Sequence, residues 1–239
     1  MNPNGGETLP QDEPYNLKWR SVGFSGDVRI EWSNDGGTTW TDLAAATAND
    51  GLYEWTVDAA AFPVNNDYLV RVTSIDESTL TDASDSLFAV APSIGFYYVN
   101  IAGDSDFTDN EYTTAAGDDG NSGLTPDSPM TSVQAVLAAY DLDAGDIIYV
   151  DTGSYTLTTN IVIAAQDAGV TIKGAEDHTT LLNRGNTNSG QYTVQVSGAT
   201  YVTLDHLSIT GGLQGVYVHG ASNYFTLTNS ELYGNGSHG

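Results

Sequence analysis

The chain repeats the segment TVQVSG (residues 193–198) 22 positions later as GVYVHG (residues 215–220). The segment YVTLDH (201–206) returns 23 positions later as YFTLTN (224–229), and a third pair, LSITG and SELYG, follows directly. Apolar and polar residues alternate within these segments, which is typical of β-strands with one buried face. Three short strands in each unit of 22 to 23 residues predict a parallel β-helix, whose equivalent strands stack about 4.8 Å apart.

The same repeat predicts which side chains fill the core. The expected inward columns are Val194 with Val216, Val196 with Val218, Val202 with Phe225, Leu204 with Leu227, and Ile209 with Leu232. One column breaks where Leu207 is replaced by Ser230. His238-Gly239 matches Gln214-Gly215, the start of a repeat, so we expect this chain to be the first part of a longer solenoid.

Composition and charge exclude several classes of partner. The chain has 31 acidic residues against 6 Lys plus Arg, for a net charge of −25. Nucleic acids require a basic surface and anionic membranes repel acidic proteins, so neither is expected as a partner. The chain contains no cysteine, which excludes disulfides and thiolate metal sites. No apolar run is long enough to insert into a membrane.

Residues 1–92 alternate short strand patterns with turn signals and predict a small β-sandwich. The clearest hairpin joins the pattern at 28–33 to the one at 38–43 through Asn34-Asp35-Gly36-Gly37. Four tryptophans, Trp19, Trp32, Trp40 and Trp55, belong either to the core of this sandwich or to a sugar-binding platform.

The first domain resembles a known module. The segments PNGGE (3–7), SNDGGTTW (33–40), NDGLYEWTV (49–57) and YLVRV (68–72) are similar to an Ig-like module of bacterial surface proteins and yeast cell-wall glycan-assembly proteins. The resemblance spans about residues 2–91. It implies a spacer or accessory domain without catalysis.

An acidic loop opens the second domain, which we place at residues 93–239. Carboxylate and amide oxygens crowded on one loop suit Ca²⁺, and without a cation they repel each other. The spacing does not fit an EF-hand. The alternative is a solvated acidic loop. The predicted calcium ligands are Asp104, Asp106, Asp109, Asp118 and Asp119.

A single helical pattern precedes the repeats. Val133, Val136, Leu137 and Tyr140 recur at helical spacing over residues 130–140, with Thr131 or Ser132 available as the cap. Such a helix can cover the open end of a solenoid.

A second resemblance begins at the acidic loop. The segments GDDGNSGLTPDSP (117–129), AGDIIYVDTGSY (144–155) and GVTIKG (169–174) are similar to the N-terminal end of secreted right-handed parallel β-helix proteins. That group includes pectate-lyase-like polysaccharide lyases and many surface proteins. The resemblance implies an extracellular or cell-surface location, with the export signal outside this chain.

Two functions remain open. One is a scaffold or adhesin that contacts glycans. The alternative is a polysaccharide lyase or glycoside hydrolase whose catalytic rungs lie beyond residue 239. A lyase needs a cationic base, and Lys173 and Arg184 lie in different segments. A hydrolase needs paired carboxylates, and Asp205 and Glu231 fall at different points of the repeat. We therefore expect no catalytic residues in this chain.

A candidate glycan-binding face follows from the alternation. Because Val194, Val196, Val216 and Val218 are expected to point inward, Gln195, Tyr217 and His219 should point outward on neighbouring strands. An aromatic ring beside amide and imidazole groups suits the mixed apolar and hydroxyl surface of a polysaccharide or cell-surface glycan.

Overall fold

A computed structural model describes residues 1–23 and 26–237. The protein is all-β, with 42% of residues in strands and 4% in helices, and several of its sheets are parallel. Contacts divide the chain into two compact units, Met1–Ser93 and a second that starts at Ile94. In the described part of the chain, no helix has the length and apolar character needed to cross a membrane.

The described residues of the first unit form eight strands in two sheets. They are β1 (Thr8–Pro10), β2 (Pro14–Lys18), β3 (Val28–Ser33), β4 (Thr41–Thr47), β5 (Leu52–Thr56), β6 (Asn65–Ser74), β7 (Thr81–Ala83) and β8 (Phe88–Ala91). One sheet has the order β1-β8-β6-β3-β4, with β7 also paired to β6, and the other pairs β2 with β5.

The predicted hairpin in this unit is confirmed, since β3 and β4 pair antiparallel across the Asn34–Gly37 turn. The second strand starts at Thr41, three residues later than the alternation indicated. Two of the four tryptophans, Trp19 and Trp55, are buried in the core. The indole of Trp40 lies under the guanidinium of Arg71, 4.2 Å from it, and that guanidinium also binds the buried Glu31 carboxylate at 2.6 Å.

Within residues 94–237, the second unit forms twelve strands. They are β9 (Phe96–Val99), β10 (Ile147–Val150), β11 (Gly153–Thr156), β12 (Ile161–Ala164), β13 (Thr171–Gly174), β14 (Thr180–Asn186), β15 (Tyr192–Ser197), β16 (Thr203–Asp205), β17 (Ser208–Gly212), β18 (Gln214–His219), β19 (Thr226–Thr228) and β20 (Glu231–Tyr233). They form three parallel sheets with orders β19-β16-β13-β10-β9, β11-β14-β17-β20 and β12-β15-β18. From β10 onward every third strand therefore joins the same sheet.

Strand register confirms four of the five predicted residue columns, including Ile209 with Leu232, while Val202 and Phe225 lie just before the paired strands. Val194 pairs with Val216 and Val196 with Val218 in one sheet, and Leu204 pairs with Leu227 in another. Burial changes along each column, because Val194, Val196 and Leu204 are fully buried whereas Val218 and Leu227 are each 38% exposed. Those two strands are the last of their sheets among the described residues, and His238 and Gly239 lie outside that part of the chain.

The predicted helix is α1 (Val133–Ala139). The Ser132 hydroxyl accepts the backbone N–H of Ala135 at 3.2 Å, so of the two predicted caps Ser132 is the one used. Val133 and Val136 are buried, and the helix packs against β9, β10 and β12. A short 3₁₀ turn, Ala165–Asp167, follows β12.

Candidate functional site

The aspartates of the acidic loop make separate hydrogen bonds. Asp104 accepts the side-chain amides of Asn100 and Asn110 at 2.7 and 2.9 Å. Burial raises the pKa of Asp104, but these amide hydrogen bonds outweigh it and hold that pKa below its usual range. Asp106 accepts the hydroxyl of Thr108 at 2.6 Å, which lowers the Asp106 pKa.

The other three predicted calcium ligands have different surroundings. The Asp118 carboxylate accepts the backbone N–H of Gly120, and the Asp119 carboxylate accepts the backbone N–H of Thr131. Asp109 instead accepts the Thr152 hydroxyl at its backbone carbonyl. In the described ranges, His, Cys, Asp and Glu side chains nowhere form a group of three or more that could hold a metal ion. The structure does not bring the five aspartates together, and calcium binding stays a prediction.

A buried aspartate that the sequence analysis missed anchors this loop. Asp151 is fully buried and follows β10 directly. Its carboxylate accepts the backbone N–H groups of Glu111, Tyr112 and Thr113 at 2.6 to 3.0 Å, and also the Thr113 hydroxyl at 2.7 Å. These donors satisfy a buried charge without a counterion. Sequence gave no sign of it, because Asp151 lies 38 or more residues from these partners.

The predicted glycan residues lie together on the outer face of the β12-β15-β18 sheet. Register places Gln195 directly beside Tyr217, and Gln195 Nε2 lies 2.9 Å from His219 Nε2. The Tyr217 ring stacks on the His219 imidazole with centroids 4.7 Å apart. The Tyr217 ring also contacts the Tyr192 ring, with centroids 4.3 Å apart, which adds an aromatic group that the sequence analysis missed.

A surface cleft adjoins these side chains. Its volume is about 480 Å³, within the usual range of small-ligand sites. It is lined by Thr158, Thr159, Asn160, Val162, Arg184, Gly190 and Gln191. Val162 is 44% exposed and pairs in register with Gln195, so the cleft and the predicted face are parts of one surface.

Arg184 forms one wall of the cleft and is only 8% exposed. Its guanidinium donates to Asn160 Oδ1 at 3.2 Å, to the Leu157 carbonyl at 3.1 Å, and to Gln191 Oε1. All three acceptors are neutral. The arginine thereby ties the loop before β15 to the chain before β12. Asn160 and Leu157 lie 24 and 27 residues from Arg184, so the sequence alone did not indicate them as its partners.

The site lies in a part of the chain that lacks acids. Residues 152–166, 178–204 and 206–230 contain no aspartate or glutamate, although the whole chain has 31. Strands β12, β15 and β18 all fall within these ranges. Because carboxylates are costly to desolvate, an acid-free face is the part of this surface that is easiest to cover with a ligand.

The residues weighed for catalysis do not come together. Lys173 lies on β13, where it pairs with Glu176 at 3.4 Å, whereas Arg184 lies on β14 in another sheet. Asp205 on β16 contacts His206 and Asn229, and Glu231 on β20 belongs to a different sheet.

Comparison with known proteins identified no relative. No family model matches the chain, and neither the curated proteins nor the solved structures contain a match.

Proposed function

We propose that the second unit is a right-handed parallel β-helix that contacts glycans through the outer face of its β12-β15-β18 sheet. The first unit is an Ig-like sandwich that serves as a spacer, and the protein works outside the cell or at its surface as a scaffold or adhesin. The cyclic order of three parallel sheets and the antiparallel pairing of β3, β4 and β6 support this architecture.

One observation carries the glycan proposal. The ring stack of Tyr192, Tyr217 and His219 continues through Gln195 and Val162 into an acid-free cleft on a strongly acidic protein. The rings offer an apolar face to the C–H groups of a sugar, and the amide and imidazole offer hydrogen-bond partners to its hydroxyls. A shallow, open surface of this kind suits a chain of sugars.

The charge of the whole protein also favours a neutral glycan over a uronate polymer. The net charge of −25 repels polyanions at a distance, even though the face itself carries no carboxylate. We therefore propose binding without cleavage, with no catalytic role for the described residues.

The test is a glycan array followed by the Tyr217→Ala variant. Because the Tyr217 ring contacts two other rings, its loss should weaken binding about tenfold. The matched control is Tyr98→Ala, which removes another half-buried tyrosine that stacks on a ring, Tyr149, in a different sheet. Equal binding by wild type and Tyr217→Ala would remove this face as the site. Unsaturated product released from pectin or alginate would contradict the non-catalytic proposal.

A further inference from the structure

A chain of hydrogen bonds with fixed direction runs from the cleft to the imidazole of the proposed site. It starts at Asn160 Oδ1, which accepts Arg184 Nε–H at 3.2 Å and the backbone N–H of Tyr192 at 3.0 Å. Both groups can only donate, so the Asn160 amide has one orientation. Its Nδ2 correspondingly donates to the Gly190 carbonyl at 3.0 Å.

The orientation of the Asn160 amide in turn fixes the orientation of the Gln195 amide. Asn160 Nδ2 also donates to Gln195 Oε1 at 3.0 Å. The Gln195 amide therefore presents its Nε2, which can only donate, toward His219 Nε2 at 2.9 Å. It follows that His219 Nε2 is the acceptor and that the imidazole proton lies on Nδ1.

We propose that Asn160 is the positioning residue that fixes His219 as the Nδ1–H tautomer, so that the site offers a donor to an oxygen acceptor of the bound sugar. This inference rests on the proposed glycan-binding function. Hydroxyl and ring oxygens of a neutral sugar are the acceptors that match it. Asn160 itself acts through Gln195, two hydrogen bonds from the imidazole.

The test measures the tautomer directly on the ¹⁵N-labelled full chain without ligand. Two-bond ¹H–¹⁵N spectra at neutral pH should show His219 with a protonated Nδ1 and an unprotonated Nε2, with the signal assigned by His219→Gln. In Asn160→Asp the residue can still accept from Arg184 and Tyr192 but cannot donate to Gln195. The Gln195 amide should then rotate, present Oε1 to His219, and move the proton to Nε2.

Matched variants keep this test decisive. Asn188→Asp adds the same charge on an exposed residue of the nearby loop and should leave the tautomer unchanged. If Asn160→Asp does not fold, Gln195→Glu gives the same reversal, because a carboxylate accepts at both ends. A proton on Nε2 in the wild type, or no reversal in a folded variant, would overturn the role of Asn160.

Binding separates this inference from the proposed function. A glycan found on the array should lose at least tenfold in affinity with Asn160→Asp and keep it with Asn188→Asp. Equal losses in both variants would contradict a role for the donor pattern in recognition. If the array finds no glycan, the proposed function fails, while the tautomer measurement still decides what Asn160 does.

Discussion

The acidic loop and the acid-free sheet face differ in how well the crowding of polar residues in the sequence predicts a site in the structure. The loop between Asp104 and Asp127 has many potential ligands in a short segment, yet the carboxylates of Asp104, Asp106, Asp118 and Asp119 accept hydrogen bonds from different groups. The face draws Asn160, Arg184, Gln195 and His219 from segments up to 59 residues apart, and joins them in one network. Acids that are close in sequence need not share a ligand, because each carboxylate can accept hydrogen bonds from its own turn.

The comparison also shows two ways of managing charge. The loop keeps most of its acids in water, and its backbone N–H groups bind one buried carboxylate, that of Asp151 after β10. The face avoids acids altogether and buries one arginine among neutral acceptors. Each buried charge is held by hydrogen bonds rather than by an ion pair, which fixes the backbone segments around it.

The largest effect that would sharpen this contrast comes from Asp151→Asn. The amide cannot accept all the N–H groups of residues 111–113 and loses the charge that strengthens those bonds, so about 3 kcal/mol should be lost locally. Amide hydrogen exchange at 111–113 should accelerate by about a hundredfold.

Asp109→Asn is the control for this prediction, because Asp109 is exposed and contributes only its backbone carbonyl. It should leave the exchange at 111–113 unchanged. Equal acceleration in both variants would mean that the loop depends on its exposed carboxylates as a group.

The strands and residue columns could be predicted from the sequence because they depend on local alternation and a constant repeat length. The pairs Val194–Val216 and Leu204–Leu227 follow from spacing alone. Spacing also predicted that Gln195, Tyr217 and His219 share a face. It could not predict Asn160 or Arg184 as their partners, because the loop before β15 is longer than its counterpart in the next repeat. Asp151 was missed for a similar reason, since its partners come from a segment without periodicity.

Calcium provides the next test of the comparison. If the loop binds Ca²⁺, Asp104 and Asp106 are the first candidates for it, since the Asp106 backbone N–H bonds to the Asp104 carboxylate at 3.0 Å. At ten times the dissociation constant, binding should add about 1.4 kcal/mol to stability. We expect calorimetry to detect binding that Asp104→Asn removes, and chelator to lower the melting temperature of the wild type. Unchanged melting with calcium and with chelator would make the loop a solvated acidic segment.

The smallest effect concerns Asp167, a buried acid that follows β12 of the acid-free sheet face. It lies in the turn after β12 and is buried, with one carboxylate oxygen accepting the Ala164 N–H at 3.0 Å and the other without a hydrogen bond in the described structure. Burial raises the pKa of Asp167, and the neighbouring backbone groups of Ala164 and Leu142 only partly oppose this. The folded state therefore holds this proton more tightly than the unfolded state, and the ionised group is a cost at neutral pH that disappears as the pH falls below the unfolded pKa.

Asp167→Asn keeps an acceptor for Ala164 and removes the charge, so it should add about 1 kcal/mol at pH 7 and progressively less toward pH 4. Asp141→Asn, which removes only a neighbouring exposed charge, should give a smaller gain in the same direction. Urea unfolding across this pH range measures both, and a variant at position 167 that is less stable than wild type at pH 7 would show that the carboxylate, like Asp151, is needed in its charged form.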